Sequence, residues 1–229
     1  MSVSLFGSRR KYLSGAEKLI RSISKNLPDW EVVFFTGKTV PELTIQKLAE
    51  LGARIVHIND KEDLSATAWR FRISHFPYAN CVIFRDADSI ISLREAKAIK
   101  QWLDSGLGAH VIRDHPFHSS KILAGLWGLR PDSAPWFETE VNAFNFENTY
   151  GSDQDFLAKY VYPKILSSCL IHASFHKHEH SSTQAKFESG SSRFGKFCGE
   201  SVTENILIRA YARFRRLVDS KECECNRQG

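Results

Sequence analysis

The sequence predicts an α/β protein with a mostly parallel sheet and helices on both of its faces. In the first half of the chain, short apolar segments rich in β-branched and aromatic residues alternate with segments of helical periodicity. This alternation is typical of parallel sheets, because parallel neighbours need a crossover between them. The chain has 229 residues, 42% of them hydrophobic, which suffices for one substantial core. No linker or internal repeat is visible, so we predict a single domain over residues 1–229.

The elements of the first half follow from local signals. Strands are predicted at 3–7, 31–36, 53–58, 81–84 and 109–113, and helices at 14–26, 41–51, 65–74 and 93–105. Ser14 is a suitable N-cap for the first helix, and Gly52 and Gly106 follow the ends of two others.

The second half is less regular. Strands are predicted at 121–129 and 166–175, a helix at 152–162 that ends at Pro163, and a long polar loop over 176–199. Ser201 and Glu204 form a capping-box pattern at the start of a final helix, 201–219. The final helix carries several arginines, which suit a solvated face or peripheral contact with an anionic membrane.

Composition excludes several classes of protein. The net charge is +5, but no long basic block is present, so no nucleic-acid partner is predicted. No apolar run approaches the length of about 18 residues that a spanning helix needs. The first residues lack the apolar centre of a signal peptide, so we expect a cytoplasmic protein. Cys223 and Cys225 lack a second pair for a zinc site, and the oligomeric state is open.

The strongest chemical signal is Asp86-Ala87-Asp88, directly after the apolar segment 81–84. Ligands of open α/β sheets bind at the carboxyl ends of the strands, where these two carboxylates are expected. Carboxylate oxygens suit hard cations such as Mn²⁺ or Mg²⁺, whose other positions go to waters and substrate phosphates. The motif therefore predicts a divalent-metal and phosphate site.

The segments around the motif resemble glycosyltransferases of the GT-A fold, in particular family 8-like enzymes. Ala68-Trp69-Arg70-Phe71-Arg72 is similar to their Y-A-R-[FL] segment, and Gly151-Ser152-Asp153-Gln154-Asp155-Phe156-Leu157 to their G-D-Q-D-x-L-N segment. The run from Arg85 to Trp127 also resembles small GT-A proteins of bacteria and large DNA viruses, which for a viral member implies the host cytoplasm. The family ending H-x-x-G-x-x-K-P-W is absent, which leaves Lys196 and Arg193 as candidates for its phosphate-contacting lysine.

The resemblance implies a GT-A (Rossmann-like) mixed sheet, with a nucleotide-binding half at about 1–115 and an acceptor and catalytic half at about 116–200. It also implies a role for each candidate residue. Asp86, Asp88 and His172 would bind the metal; Phe6, Gly7, Tyr12, Arg70, Asp86, Ala87 and Lys196 would bind the donor nucleotide; and Asp153 and Asp155 would lie at the reacting centre. Gly125 and Trp127 are candidates for contact with the donor sugar, and Asp114 and His115 for contact with donor or acceptor.

Several of these residues have a plainer structural alternative. Arg70 suits a surface salt bridge, Tyr12 and Trp127 suit a core, and Asp153 or Asp155 suits a helix cap. His172, His176, His178 and His180 lie close together, but their spacing matches no standard zinc pattern and favours a polar loop.

The expected function is metal-dependent transfer of a hexose-like unit from a nucleotide diphosphate-sugar, with a UDP-sugar favoured, to a glycan or glycoprotein acceptor. Two alternatives stay open. Haloacid dehalogenase-like phosphatases also place D-x-D after an apolar strand, although near the start of their fold. A non-catalytic sugar-binding module of the same fold is the second alternative.

Overall fold

A computed structural model describes residues 1–176, 178–179, 184–188, 197–201, 210–211 and 214–215 of the chain. Its strands are β1 (Ser2–Leu5), β2 (Val33–Thr36), β3 (Arg54–His57), β4 (Val82–Arg85), β5 (Ala109–Arg113), β6 (Leu126–Leu129), β7 (Cys169–Ala173) and β8 (Gln184–Ala185). They form one sheet in the order β3-β2-β1-β4-β6-β5-β7-β8. Every neighbouring pair is parallel except those of β6, which runs antiparallel to β4 and β5.

The order of the strands creates a switch point between β1 and β4. From β1 the chain builds outward to β3, then returns to place β4 on the other side of β1. The crossovers leave β1 and β4 in opposite directions, so a crevice opens outside their carboxyl ends. The Asp86-Ala87-Asp88 motif directly follows β4 at this place.

The described residues form six α-helices with complete bounds: α1 (Arg10–Asn26), α2 (Glu42–Glu50), α3 (Leu93–Ser105), α4 (Phe137–Ala143), α5 (Ser152–Phe156) and α6 (Tyr162–Ile165). The prediction for α3 was correct to the residue. Ser92 accepts a hydrogen bond from the amide of Glu95 at 3.1 Å, and Gly106 takes the left-handed conformation at φ 71° after the last turn.

Three local predictions were wrong in detail. Helix α1 begins at Arg10, not after Ser14, and has no side-chain cap. The predicted helix 65–74 is instead a 3-10 helix, Leu64–Phe71, whose N-cap is Asp63, with its side chain accepting a hydrogen bond from the amide of Ser65. Pro163 does not end the helix that starts at Ser152, because a π-helical segment, Leu157–Val161, precedes it and places the proline in the first turn of α6.

Other parts of the second half also differ from the prediction. Strand β6 occupies only the last part of 121–129, and α4 was not predicted. The predicted loop 176–199 contains the short strand β8. Of the predicted helix 201–219, the described residues 210, 211, 214 and 215 are helical. His180, Arg193, Lys196, Cys223 and Cys225 lie outside the described residues.

Apolar residues fill both faces of the sheet. One face carries an aromatic cluster of Phe71, Phe84, Trp127, Phe137 and Phe156. The other packs against α1 and α3, with Leu19, Ile20, Ile99 and Trp102 buried. This two-sided burial explains why the strands are continuous apolar runs. Among the residues described, no helix is both long and apolar enough to cross a bilayer.

Candidate functional site

The two carboxylates after β4 lie in different surroundings. The Asp86 side chain is 53% exposed and that of Asp88 is 12% exposed. Gly125 leaves room for the first of them, because a Cβ at this position would lie 2.1 Å from Asp86 Oδ2. Gly15 leaves room for the backbone of the motif, since a Cβ at this position would lie 2.6 Å from Asp88 Cα. These two glycines, far apart in sequence, therefore let α1 and the segment at Gly125 pack closely on the motif.

Arg70 joins Asp86 to Asp153. One guanidinium nitrogen donates to Asp86 Oδ1 at 2.6 Å and to the carbonyl oxygen of Arg85 at 3.1 Å, and the other donates to Asp153 Oδ2 at 2.7 Å. Arg70 is only 3% exposed, so the surface salt bridge considered from the sequence is excluded. The fold thus brings together three residues that sequence reasoning chose separately.

The charge of Arg70 favours the ionised form of Asp86. Desolvation by the surrounding protein opposes the charge of this half-exposed carboxylate, but the adjacent Arg70 guanidinium outweighs it and lowers the pKa of Asp86, with smaller contributions from Arg85 and Lys11. Burial likewise opposes the charge of Arg70, whose pKa is nevertheless raised by Asp86 and Asp153. The ionised form of Asp86 is therefore favoured at the edge of β4.

Asp88 is held by Lys11 and Ser201 instead of by Arg70. Its Oδ2 lies 2.6 Å from Lys11 Nζ and accepts a hydrogen bond from Ser201 Oγ at 3.0 Å. Lys11 was missed in the sequence analysis, although it closes a run of three basic residues that follows the first strand. No local sequence pattern links it to Asp88. In the structure it shares one face of α1 with Gly15, which packs on the motif.

Arg85 supports the motif from the opposite face of the sheet and was also missed. It pairs with Glu95 on α3 at 2.7 Å, and it donates to the Gly125 carbonyl and to Ser89 Oγ, both at 2.9 Å. The two charged side chains are 0% and 1% exposed. Burial raises the pKa of Glu95 to about 6, although the Arg85 charge opposes this shift. The turn that carries both aspartates is thus held by Arg70 on one side and by Arg85 on the other.

The predicted nucleotide edge lies at the end of β1. Gly7 has φ 73° and its amide donates to Thr39 Oγ1 at 2.9 Å, and the Thr39 amide donates to Glu62 at 3.1 Å. Phe6 and Tyr12 are both half-buried: the former packs edge-on against Trp69 at 5.7 Å, and the latter packs against the core beneath α1. Ala87 is buried between these elements.

Asp153 and Asp155 do not converge. Asp153 is buried, with Oδ1 accepting from the Gln154 amide at 2.9 Å and Oδ2 held by Arg70. Asp155 is exposed. Helix positions two apart point to different sides, so only Asp153 faces the metal motif. The alternative that either residue is the N-cap is excluded, because Gly151 occupies that position.

The structure places His172 apart from the two aspartates with which it was expected to share a metal. It is fully buried, its Nδ1 lies 2.9 Å from His110 Nε2, and its Nε2 lies 2.5 Å from Gln101 Oε1. Strand β7 is three strands away from β4, a lateral separation of about 14 Å. Within the described part of the chain, no group of three or more His, Cys, Asp or Glu residues is arranged to hold a metal ion.

Three further candidates are buried away from any ligand. Trp127 is 1% exposed and stacks on Phe84 at 4.3 Å, so the core alternative is correct. Asp114 is fully buried and pairs with Arg94 at 2.7 Å. His115 is 2% exposed and packs against Phe197 at 4.3 Å. The structure therefore places all three side chains in the protein interior.

The histidine pair predicts an acid-sensitive fold. Burial lowers the pKa of His172 to about 4, with a smaller contribution from Arg94, and burial lowers the pKa of His110 as well. An unfolded histidine binds a proton near pH 6.5. As the pH falls below this value, the free energy of unfolding should therefore decrease by up to about 1.4 kcal/mol per pH unit for each histidine.

Urea unfolding at pH 7, 6 and 5 measures this slope. The variant His172→Gln should reduce the slope by the share of one histidine, since His110 and His118, whose pKa burial lowers to about 3, still titrate. A slope that is the same in both proteins would show that His172 does not carry the effect.

Comparisons with solved structures identify the fold type of this chain. No family model matches the chain, and no curated protein matches its sequence. Among solved structures, glucosyl-3-phosphoglycerate synthase from Mycobacterium tuberculosis in complex with phosphoglyceric acid is 14% identical, with a TM-score of 0.50, over 74% of this chain and 68% of that one. A glycosyltransferase involved in the glycosylation of the major capsid of PBCV-1 is 15% identical over 76% and 82%, with a TM-score of 0.47. The predicted α/β fold of the GT-A (Rossmann-like) type, with its mostly parallel mixed sheet, is confirmed.

Proposed function

We propose that this chain is a glycosyltransferase that binds a nucleotide diphosphate-sugar across the carboxyl ends of β1 and β4. The observation that carries the proposal is the Asp86–Arg70–Asp153 triad at the switch point of the sheet. A buried arginine that fixes one carboxylate of a D-x-D motif leaves that motif charged and rigid, as preorganised electrostatic catalysis requires. A UDP-sugar is the favoured donor, and a glycan or glycoprotein is the favoured acceptor.

The residues present suit a divalent cation that arrives with its substrate. Asp86 and Asp88 each use one oxygen for a protein partner, and the hydrogen bonds among described residues leave Asp86 Oδ2 and Asp88 Oδ1 without one. Two carboxylates plus substrate phosphates and waters are a usual environment for Mg²⁺. When bound, Mn²⁺ or Mg²⁺ would supply charge neutralisation for the diphosphate leaving group.

The chain's own residues would divide the remaining tasks. The backbone around Gly7 and the rings of Phe6 and Tyr12 would hold the base. The backbone of Ala87 would contact the donor nucleotide. Arg70 would orient Asp86, and Asp153 would in turn position Arg70. Asp153, rather than the exposed Asp155, is therefore the carboxylate that we assign to the support of the metal motif, since its side chain is only 10% exposed and both of its oxygens accept hydrogen bonds.

The phosphatase alternative is less consistent with this arrangement. Its nucleophilic aspartate belongs near the start of the fold, whereas Asp86 follows the fourth strand. The non-catalytic alternative predicts binding of nucleotide or sugar without turnover, which the experiment below measures directly.

The test combines a thermal-shift screen of nucleotides and nucleotide-sugars, with and without Mn²⁺, with an assay of donor hydrolysis and transfer. The variant Asp88→Ala should abolish the Mn²⁺-dependent shift and lower turnover by at least about 100-fold, because the metal loses a ligand. Asp132→Ala, which removes an exposed carboxylate elsewhere, is the matched control. Normal Mn²⁺-dependent turnover in the Asp88 variant would refute the assignment of this site. Phosphate-ester hydrolysis that depends on Asp86 would favour the phosphatase.

A further inference from the structure

Asp88 has a protein cation beside the oxygen it shares with Ser201. The ammonium of Lys11 lies 2.6 Å from Asp88 Oδ2, and the Lys11 side chain is 44% exposed. A lysine ammonium is a compact point charge on a flexible stem, so it can leave one partner for another without a change in the backbone.

The fold places Lys11 there. Lys11 and Gly15 are four residues apart on α1 and therefore share a face. Gly15 packs so closely on the motif that its Cβ would lie 2.8 Å from the Ala87 carbonyl oxygen. The first turn of α1 is thus held against the motif, which keeps the Lys11 stem within reach of Asp88.

The composition of this helix start is unfavourable for the helix alone. Arg10 and Lys11 lie in the first turn, directly after Arg9, and no acidic residue is present there. Cations at a helix N-terminus oppose the helix dipole. Helix stability therefore does not explain this run of basic residues, which suggests that it serves another purpose.

We propose that Lys11 is a competing cation: in the metal-free protein its ammonium pairs with Asp88 Oδ2, and its charge opposes a divalent cation at the other oxygen, Oδ1, until Lys11 leaves. Two cations at one carboxylate repel each other, because like charges a few ångströms apart interact strongly even near a surface. The inference rests on the proposed function in one respect, since the donor diphosphate would be the group that takes the ammonium from Asp88. Metal binding and donor binding would then strengthen each other, and by the same factor.

The test measures the affinity for Mn²⁺ directly, from the signal of free Mn²⁺ in electron paramagnetic resonance, with and without UDP. Lys11→Met should bind Mn²⁺ about tenfold more tightly than the wild type in the absence of UDP, as expected for the loss of one competing ion pair. UDP should enhance Mn²⁺ binding less in this variant than in the wild type. Arg10→Met, which removes the same charge from an exposed neighbour, is the control and should change the affinity less than about twofold.

The outcomes separate this inference from the proposed function. Tighter Mn²⁺ binding by Lys11→Met in a protein that turns over no nucleotide-sugar would support the competition and contradict the function. Turnover in the wild type, with Mn²⁺ affinity unchanged or weakened in Lys11→Met, would contradict the competition alone. Equal tightening in the Arg10 and Lys11 variants would show a general charge effect and also contradict it.

Discussion

Replacing Arg70 with glutamine should destabilise the folded chain by about 3–5 kcal/mol and remove donor turnover, because two carboxylates lose the charge between them. The side chains of Arg70 and Asp153 are only 4% and 10% exposed, so water cannot replace the missing guanidinium at Asp153. Arg70→Lys should recover part of the stability but little turnover, since a single ammonium cannot bond two carboxylates in the fixed geometry of a guanidinium. Urea unfolding and donor hydrolysis measure the two effects separately.

A neighbouring arginine provides the control for Arg70. Arg72 pairs with Asp60, but its side chain is 35% exposed and that of Asp60 is 54% exposed. Arg72→Gln should therefore change the free energy of unfolding by less than about 1 kcal/mol. The double variant Arg70→Gln with Asp153→Asn should regain stability and stay inactive. An Arg70→Gln protein with wild-type stability and turnover would contradict the role of the triad.

Replacing Arg85 with methionine should have an effect of similar size on stability, about 3–5 kcal/mol, because it leaves the Glu95 carboxylate buried without its partner. The loss should extend to the metal motif, since Arg85 also holds Ser89 and the Gly125 carbonyl. Glu95→Gln should be milder, because burial already raises the pKa of Glu95 to about 6 and so favours its neutral form.

A double-mutant cycle decides whether the pair acts as a unit. Arg85→Met combined with Glu95→Leu replaces both charges by apolar groups, and it should be more stable than Arg85→Met alone. Lys100→Met, which breaks an exposed pair with Asp104 on the same helix, is the control. Additive effects of the two buried substitutions would show that the 2.7 Å contact contributes no coupling energy.

The regular elements were predictable because their signals are local. The helix α3 carries its periodic apolar face, a serine cap and a terminal glycine within fifteen residues, and both its ends matched the prediction. The π-helical segment before Pro163 had no such signal, because a proline in a helical pattern normally predicts an end. Packing of α5 and α6 against the aromatic cluster overrides that local preference, with Phe156, Leu157 and Val161 fully buried.

The candidate site residues likewise differ in whether a local sequence pattern marks them. Asp86 and Asp88 were found because a strand followed by two acids is a local pattern, and the structure puts them at the switch point. His172, Trp127, Asp114 and His115 are residue types common in sugar sites, and no local pattern distinguishes them from buried structural residues. Sheet register decided between the alternatives: it pairs Trp127 with Phe84, and it pairs His172 with Ile112, so that the His172 ring reaches His110 two positions along β5.

The sequence was enough to predict the fold class and to place two carboxylates at the end of a buried strand, because local patterns of a few residues predict each of these features. The identity of the cation that pairs with each carboxylate depended on the tertiary structure. Arg70 reaches Asp86 across 16 positions and Asp153 across 83, and Lys11 reaches Asp88 from the first helix. Such distant partners meet because the order of the strands brings β1 beside β4, and that order follows from packing of the whole sheet.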